Sequence, residues 1–272
     1  MTDMARPSRP LLALAGLGLV LASLLGGCAS TPGAGASPTE WHTAADDTDA
    51  RKRARTRLAL ATGYYENGQY GIALDELKKA LQTDPNFPEA YNLGGLIYMA
   101  QGDAALAESH FERAIALDPS SANAMHNLGW LQCQTGRYPQ AVAQFQRAVA
   151  VPSYPDRAKT LMAQGICEAR AGQREQAEAT LMRSYELDAG NPVTGYSLAL
   201  LLYERGELER ARFYIRRLNN GELANAESLW LGIRIERRLQ DHRAMEQLAS
   251  QLRRRFPQSR ELIAYERGQF DE

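Results

Sequence analysis

The sequence predicts an all-α fold: an α-solenoid, wound as a right-handed superhelix of about six helix-turn-helix repeats with a C-terminal capping helix. Three observations predict it. Ala and Leu dominate while β-branched residues are sparse, which favours helix over sheet. From about residue 54 the same residue types return every 34 positions. The first three periods each place a glycine at the same point between two stretches long enough for a helix, as a chain of helical hairpins requires.

The columns of the repeat each have a physical reason. Gly68, Gly102 and Gly136 stand where the first helix must end and the chain reverse, a conformation that needs the positive φ glycine tolerates. Ala73, Ala107 and Ala141, with Ala80, Ala114 and Ala148, mark places where two helices cross too closely for a larger side chain. Leu77, Phe111 and Phe145 fill the space between successive hairpins. Asp84-Pro85 and Asp118-Pro119 stop the second helix, since proline cannot continue the hydrogen-bond ladder. Tyr64 and Tyr98 pack in the first helix, and Gly94-Gly95 falls within a helix. These columns resemble the tetratricopeptide repeat (TPR) family.

After residue 150 the register loosens. The fourth unit is displaced by 36, giving Gly165, Gly172, Ala177 and Leu181, with the two extra residues in a longer connector over 151–155. The fifth unit shows Ala199, Gly206, Ala211 and Ile215. The sixth shows Gly232, Ala244 and Leu248, with no clear turn glycine. Residues 258–267 read as a final helix over the open end of the stack, where apolar surface would otherwise face water.

The first 28 residues are of another kind. Arg6 and Arg9 precede an uncharged apolar stretch from Leu11 to Leu25, too short for a membrane span of roughly 20 residues. Leu25-Gly26-Gly27-Cys28 follows and resembles a bacterial lipobox. The resemblance implies cleavage after residue 27 and lipidation of Cys28, and Ala29 beside it implies the outer membrane. Acyl chains contribute about 0.8 kcal/mol per buried CH₂, so several chains anchor firmly. Cleavage removes two arginines and one aspartate and takes the formal charge from −1 to −2, so no basic patch is expected to assist the anchor. Residues 28–53 are expected to be the lipidated Cys and a flexible tether rich in small and polar residues, and 54–272 the superhelix. The basic run from Arg51 to Arg55 is expected to begin the first helix and to form a solvated helix face.

Charge is balanced, 31 basic against 32 acidic residues, which leaves no field for nucleic acid. His42, His110, His126 and His242 show no metal-ligand spacing, no phosphate loop occurs, and the many carboxylates are expected on solvated faces. No catalysis, cofactor, metal or small-molecule substrate is expected. Cys133 and Cys167 fall in the first helices of adjacent units, so a disulfide is geometrically open to them, as are two free thiols; their spacing excludes a catalytic CxxC.

In TPR proteins the fifth, ninth and twelfth positions of each unit line the inner groove. Carried over, they are Leu58, Thr62 and Tyr65; Asn92, Leu96 and Met99; His126, Trp130 and Cys133; and Met162 and Ile166. This lining is apolar, concentrates in units one to three, and marks a protein-binding surface. Leu58, Asn92 and His126 stand where a carboxylate clamp would need Lys or Arg, which points to an apolar or amphipathic segment as ligand.

A narrower resemblance rests on Ser153-Tyr154-Pro155-Asp156-Arg157 with the displaced fourth unit, and on the run from Asn225 to Arg234 followed by Phe256-Pro257. Together with the lipobox these resemble the PilF/PilW family of type IV pilus biogenesis lipoproteins, the pilotins of the pilus secretin. The resemblance implies an outer-membrane lipoprotein facing the periplasm. It would bind the secretin, alongside other pilus proteins, and promote its multimer assembly. Two other readings stay open: a TPR lipoprotein scaffold for outer-membrane protein assembly or peptidoglycan synthesis, and a thiol oxidoreductase using Cys133 and Cys167.

Overall fold

The computed structural model describes residues 47–270; the signal segment, Cys28 and the rest of the expected tether up to residue 46 lie outside the described residues. Thirteen helices and no strand make up those described. They run as α1 (Asp49–Glu66), α2 (Tyr70–Thr83), α3 (Pro88–Ala100), α4 (Ala104–Leu117), α5 (Ala122–Gln134), α6 (Tyr138–Ala150) and α7 (Arg157–Arg170). Then follow α8 (Arg174–Leu187), α9 (Pro192–Glu204), α10 (Leu208–Asn219), α11 (Ala226–Arg238), α12 (His242–Arg255) and α13 (Arg260–Glu266). Each odd helix from α1 to α11 pairs with the next as a hairpin, each hairpin packs on its neighbours in sequence, and α13 closes on α11 and α12.

The crossings are tight. The alanines at 73, 107, 141, 177 and 211 are fully buried. Opposite them, a Cβ added at Gly129 would meet the Phe145 ring at 3.0 Å, and one at Gly165 would meet Leu181 Cγ at 2.6 Å. Phe111, Phe145, Leu181 and Ile215 are buried between hairpins. The turns are uniform: Gly68, Gly102, Gly136, Gly172 and Gly206 take φ of 72, 81, 76, 78 and 79°. In the first turn Gly68 N donates to Tyr65 O (2.9 Å) and Gln69 N to Tyr64 O (2.8 Å).

The sixth hairpin turns in the same way without glycine. Gln240 takes φ 59°, Gln240 N donates to Arg237 O and Asp241 N to Glu236 O, both at 3.0 Å. Counted from Gln240 as the turn residue, the columns fall one residue later than expected, on Ile233, Met245 and Ala249 in place of Gly232, Ala244 and Leu248, although Gly232 does face Leu248, where an added Cβ would meet Cδ1 at 3.0 Å. The sizes are inverted relative to the other units. Ile233 and Met245 are large where the others are small, and Ala249 is small where the others carry Leu, Ile or Phe; Ile233 and Ala249 are both fully buried.

Two further expectations change. The first helix begins at Asp49, two residues ahead of the basic run expected to open it and within the expected tether, because Thr48 caps it (Arg51 N to Thr48 Oγ1, 3.1 Å) and Arg51 is tied down. Arg51 pairs with Asp84, donates to Asn86 O at 2.8 Å and lies 4.6 Å from the Phe87 ring centroid, so this member of the basic run is not a free solvated charge. Nor are all carboxylates solvated. Glu236 is 0% exposed, its Oε2 accepting from Arg212 Nη2 at 2.5 Å and its Oε1 from Arg216 Nε at 2.8 Å. Glu168 is also buried, one oxygen held by Gln164 Nε2 at 2.7 Å. The closing helix runs over Arg260–Glu266 within the expected 258–267, burying Leu262 against Leu229, Ile233 and Leu252.

Left-handed backbone costs a non-glycine residue roughly 1–2 kcal/mol, part of which glycine returns as unfolded-state entropy. Gln240→Gly is therefore expected to stabilise the domain by up to about 1 kcal/mol in urea unfolding. The reverse change at a regular turn, Gly136→Gln, should destabilise it by a similar amount.

Candidate functional site

The first helices present one column of side chains each, at ten, six and three residues before the turn, a spacing that keeps all three on one helical face. Leu58, Thr62, Tyr65, Asn92, Leu96, Met99, His126, Trp130, Met162 and Ile166 are all partly buried and partly open; Cys133 is buried. Their inner sides are core. Leu58 and Tyr65 pack beside Leu77 and Ile97, and Leu96 and Met99 beside Phe111 and Leu131. Trp130 packs beside Phe145 and Ala163 with the Arg170 guanidinium 5.4 Å from its ring centroid. Thr62 Oγ1 donates to Leu58 O of its own helix (2.9 Å), and Asn92 Oδ1 accepts from Asn127 Nδ2 on the next unit (2.9 Å).

His126 serves a structural purpose at this face. Its Nδ1 lies 2.8 Å from Thr160 Oγ1, which lies 2.9 Å from the Tyr154 hydroxyl, and its ring meets Phe145 edge-on. Tyr154 belongs to the longer connector before α7 and is buried. Arg157 donates from Nε to Val149 O at 3.1 Å and from Nη2 to Val151 O at 3.3 Å. The register break is thus braced on both sides, which the sequence showed only as two extra residues. Burial, aided by the Lys159 charge, lowers the His126 pKa to about 4.

Beside this brace Cys133 and Cys167 are joined Sγ to Sγ with Cα atoms 5.8 Å apart, linking α5 to α7. Both are buried. A bridge closing a loop of this length stabilises by roughly 3–4 kcal/mol on the chain-entropy account. Among the described residues no group of three or more His, Cys, Asp or Glu could hold a metal ion, and no helix is long and apolar enough to cross a membrane.

The face opens furthest along between α7 and α9. A cavity of about 400 Å³ is lined there by Ile166, Arg170, Tyr196, Leu200, Leu201 and Glu204, with others. Ile166 alone of these was expected. Tyr196 and Leu200 follow from the same rule counted back from Gly206, so the signal was present in the fifth unit. The apolar lining therefore does not end with unit three.

Models of the tetratricopeptide repeat match residues 87–152 and 126–192, and a TPR-repeat model matches 63–102. The type IV pilus assembly protein PilF of Pseudomonas aeruginosa is 27% identical over 204 residues, covering 75% of this chain and 81% of that protein. The solved structure of Pseudomonas aeruginosa PilF superposes with a TM-score of 0.73 at 26% identity, over 81% of this chain and 100% of that one. The crystal structure of PilW, described as a widely conserved type IV pilus biogenesis factor, gives a TM-score of 0.71. Its identity is 30%, over 78% of this chain and 97% of PilW.

The chain belongs to the PilF/PilW family.

The superpositions span 81% and 78% of this PilF/PilW chain, so most of the hairpin array is common fold.

The depressed pKa makes His126 a contributor to acid sensitivity. Unfolded, the imidazole takes up a proton below its ordinary 6.5; folded, it stays neutral down to about 4. Its stability contribution is complete above the unfolded pKa and is lost as pH falls from about 6.5 to about 4, a loss on the order of 3 kcal/mol. His126→Gln is expected to flatten the pH dependence of the urea midpoint in that window and leave it unchanged above pH 7.

Proposed function

We propose that this chain is an outer-membrane lipoprotein that binds the type IV pilus secretin and promotes its localisation and multimer assembly, hence pilus biogenesis. The observation that carries the reading is the match across 97% of PilW at 30% identity, over a fold whose first-helix face keeps an apolar lining. In this reading the lipid on Cys28 supplies the address and the first-helix face supplies the grip. The protein acts by holding a partner. An apolar cavity beside half-buried Trp130, Ile166 and Leu200 suits an apolar or amphipathic segment, helical or extended.

The bridge between Cys133 and Cys167 accords with an oxidising periplasm. Its burial argues against redox turnover, because exchange requires a thiolate to reach one sulfur.

The test is secretin multimerisation in a strain lacking this chain. Heat-stable multimers at the outer membrane are expected to fall sharply, to return with the wild-type chain, and to return incompletely or at the wrong membrane with Cys28→Ser. Normal multimers at the outer membrane without the chain would refute the reading.

A further inference from the structure

The first-helix face changes character at its last two hairpins. The column that carries Trp130, Ile166 and Leu200 continues to Arg234, and the next residue of the turn-side rim is Arg238. Both guanidiniums lie 4.9 Å from the centroid of the Tyr203 ring, so the two positive charges sit within about 10 Å of each other. Arg238 Nη1 donates to Tyr203 O at 3.2 Å, while Arg234 Nε is buried with no hydrogen-bond acceptor. Among the described residues no carboxylate pairs with either. This contrasts with Arg212 and Arg216 on α10, which share Glu236, and with Arg205 and Arg210, which share Glu178 and Glu207.

The nearby acids form no ion pair with them. Glu204 on the cavity wall reaches Arg174 at 3.9 Å, and Glu227, Glu261, Glu204 and Arg234 all act on the Tyr196 hydroxyl. The face therefore sets an apolar stretch at Leu200 and Ile166 beside two guanidiniums, Arg234 and Arg238, that have no carboxylate partner among the described residues.

We infer that this region is a subsite for an extended partner segment that sets an apolar side chain in the cavity between α7 and α9 and an acidic side chain on Arg234 and Arg238. Charge complementarity picks the occupant. Two neighbouring guanidiniums held against one aromatic ring present several N–H donors in fixed planes, the arrangement a carboxylate engages bidentately. The subsite rests on the first-helix face being a binding surface and does not depend on the secretin being its occupant.

Three pools of short synthetic peptides test it, each random except for a fixed Phe and, two residues on, a fixed Glu in the first pool, Gln in the second and Lys in the third. Binding to the full mature chain is read by fluorescence anisotropy at low and high salt. The Glu pool is expected to bind at least about tenfold more tightly at low salt, the advantage shrinking as salt rises. Arg234→Gln with Arg238→Gln should abolish the advantage while leaving Gln-pool binding in place, and Leu200→Asp should weaken binding of both the Glu and the Gln pool. Arg238→Glu, which keeps a stem against Tyr203, should turn the preference towards the Lys pool, with circular dichroism confirming the fold. Equal binding of the Glu and Gln pools, binding of neither, or a preference that survives the double variant overturns the subsite. Secretin assembly that depends on the chain alongside any of these results would remove the subsite and leave the proposed function standing.

Discussion

Within each of the first five hairpins the two helices approach until only an alanine or glycine fits between them. The alanines at 73, 107, 141, 177 and 211 have no accessible surface, and Gly129 and Gly165 have no room for a Cβ. That spacing fixes where Phe111, Phe145, Leu181 and Ile215 can reach, and those side chains in turn seat one hairpin on the next. An error of one methylene at the crossing would propagate to the neighbouring layer, since a close-packed interior transmits strain. The sixth hairpin obeys the same constraint by another route, placing Ile233 and Met245 at the crossing and Ala249 where the others carry a filler.

The consequence for function is geometric. Once the small columns bring α1 to α2, α3 to α4 and so on, the other side of every first helix is left to form a continuous lining. Its residues are divided between two tasks. The inner halves of Leu96, Met99 and Trp130 complete the core, and their outer halves remain open. The rigidity of that lining is reinforced at its weakest point, the displaced fourth hairpin. There the Tyr154–Thr160–His126 chain and the bridge from Cys133 to Cys167 hold α5 and α7 together. A preorganised face loses less conformational entropy when a partner docks.

The repeat itself was legible because each column carries a steric demand that few residue types meet. The turn glycines, crossing alanines and stop prolines needed no structure to be seen. The sixth unit was misread by one residue because its turn uses Gln240, whose left-handed backbone has no sequence signature, and because its large and small columns are exchanged. The buried Glu236 was also invisible: its burial depends on Arg212 and Arg216 meeting it from the preceding hairpin, a contact the sequence of α11 does not encode. Of the candidate site, the positions were readable and their roles were not. His126 sits at a groove position yet braces the register break, whereas Tyr196 and Leu200 line the open cavity and follow from the same periodicity.

The central claim is that the first-helix face, and not the outer side of the second helices, receives the partner. Site-specific photocrosslinking in cells tests it directly, with a photoreactive residue placed in turn at Leu200 on α9 and at Phe213, which is 60% exposed on α10. The account predicts that the secretin subunit crosslinks through position 200 and not through position 213. Crosslinking to the secretin through position 213 alone would contradict it.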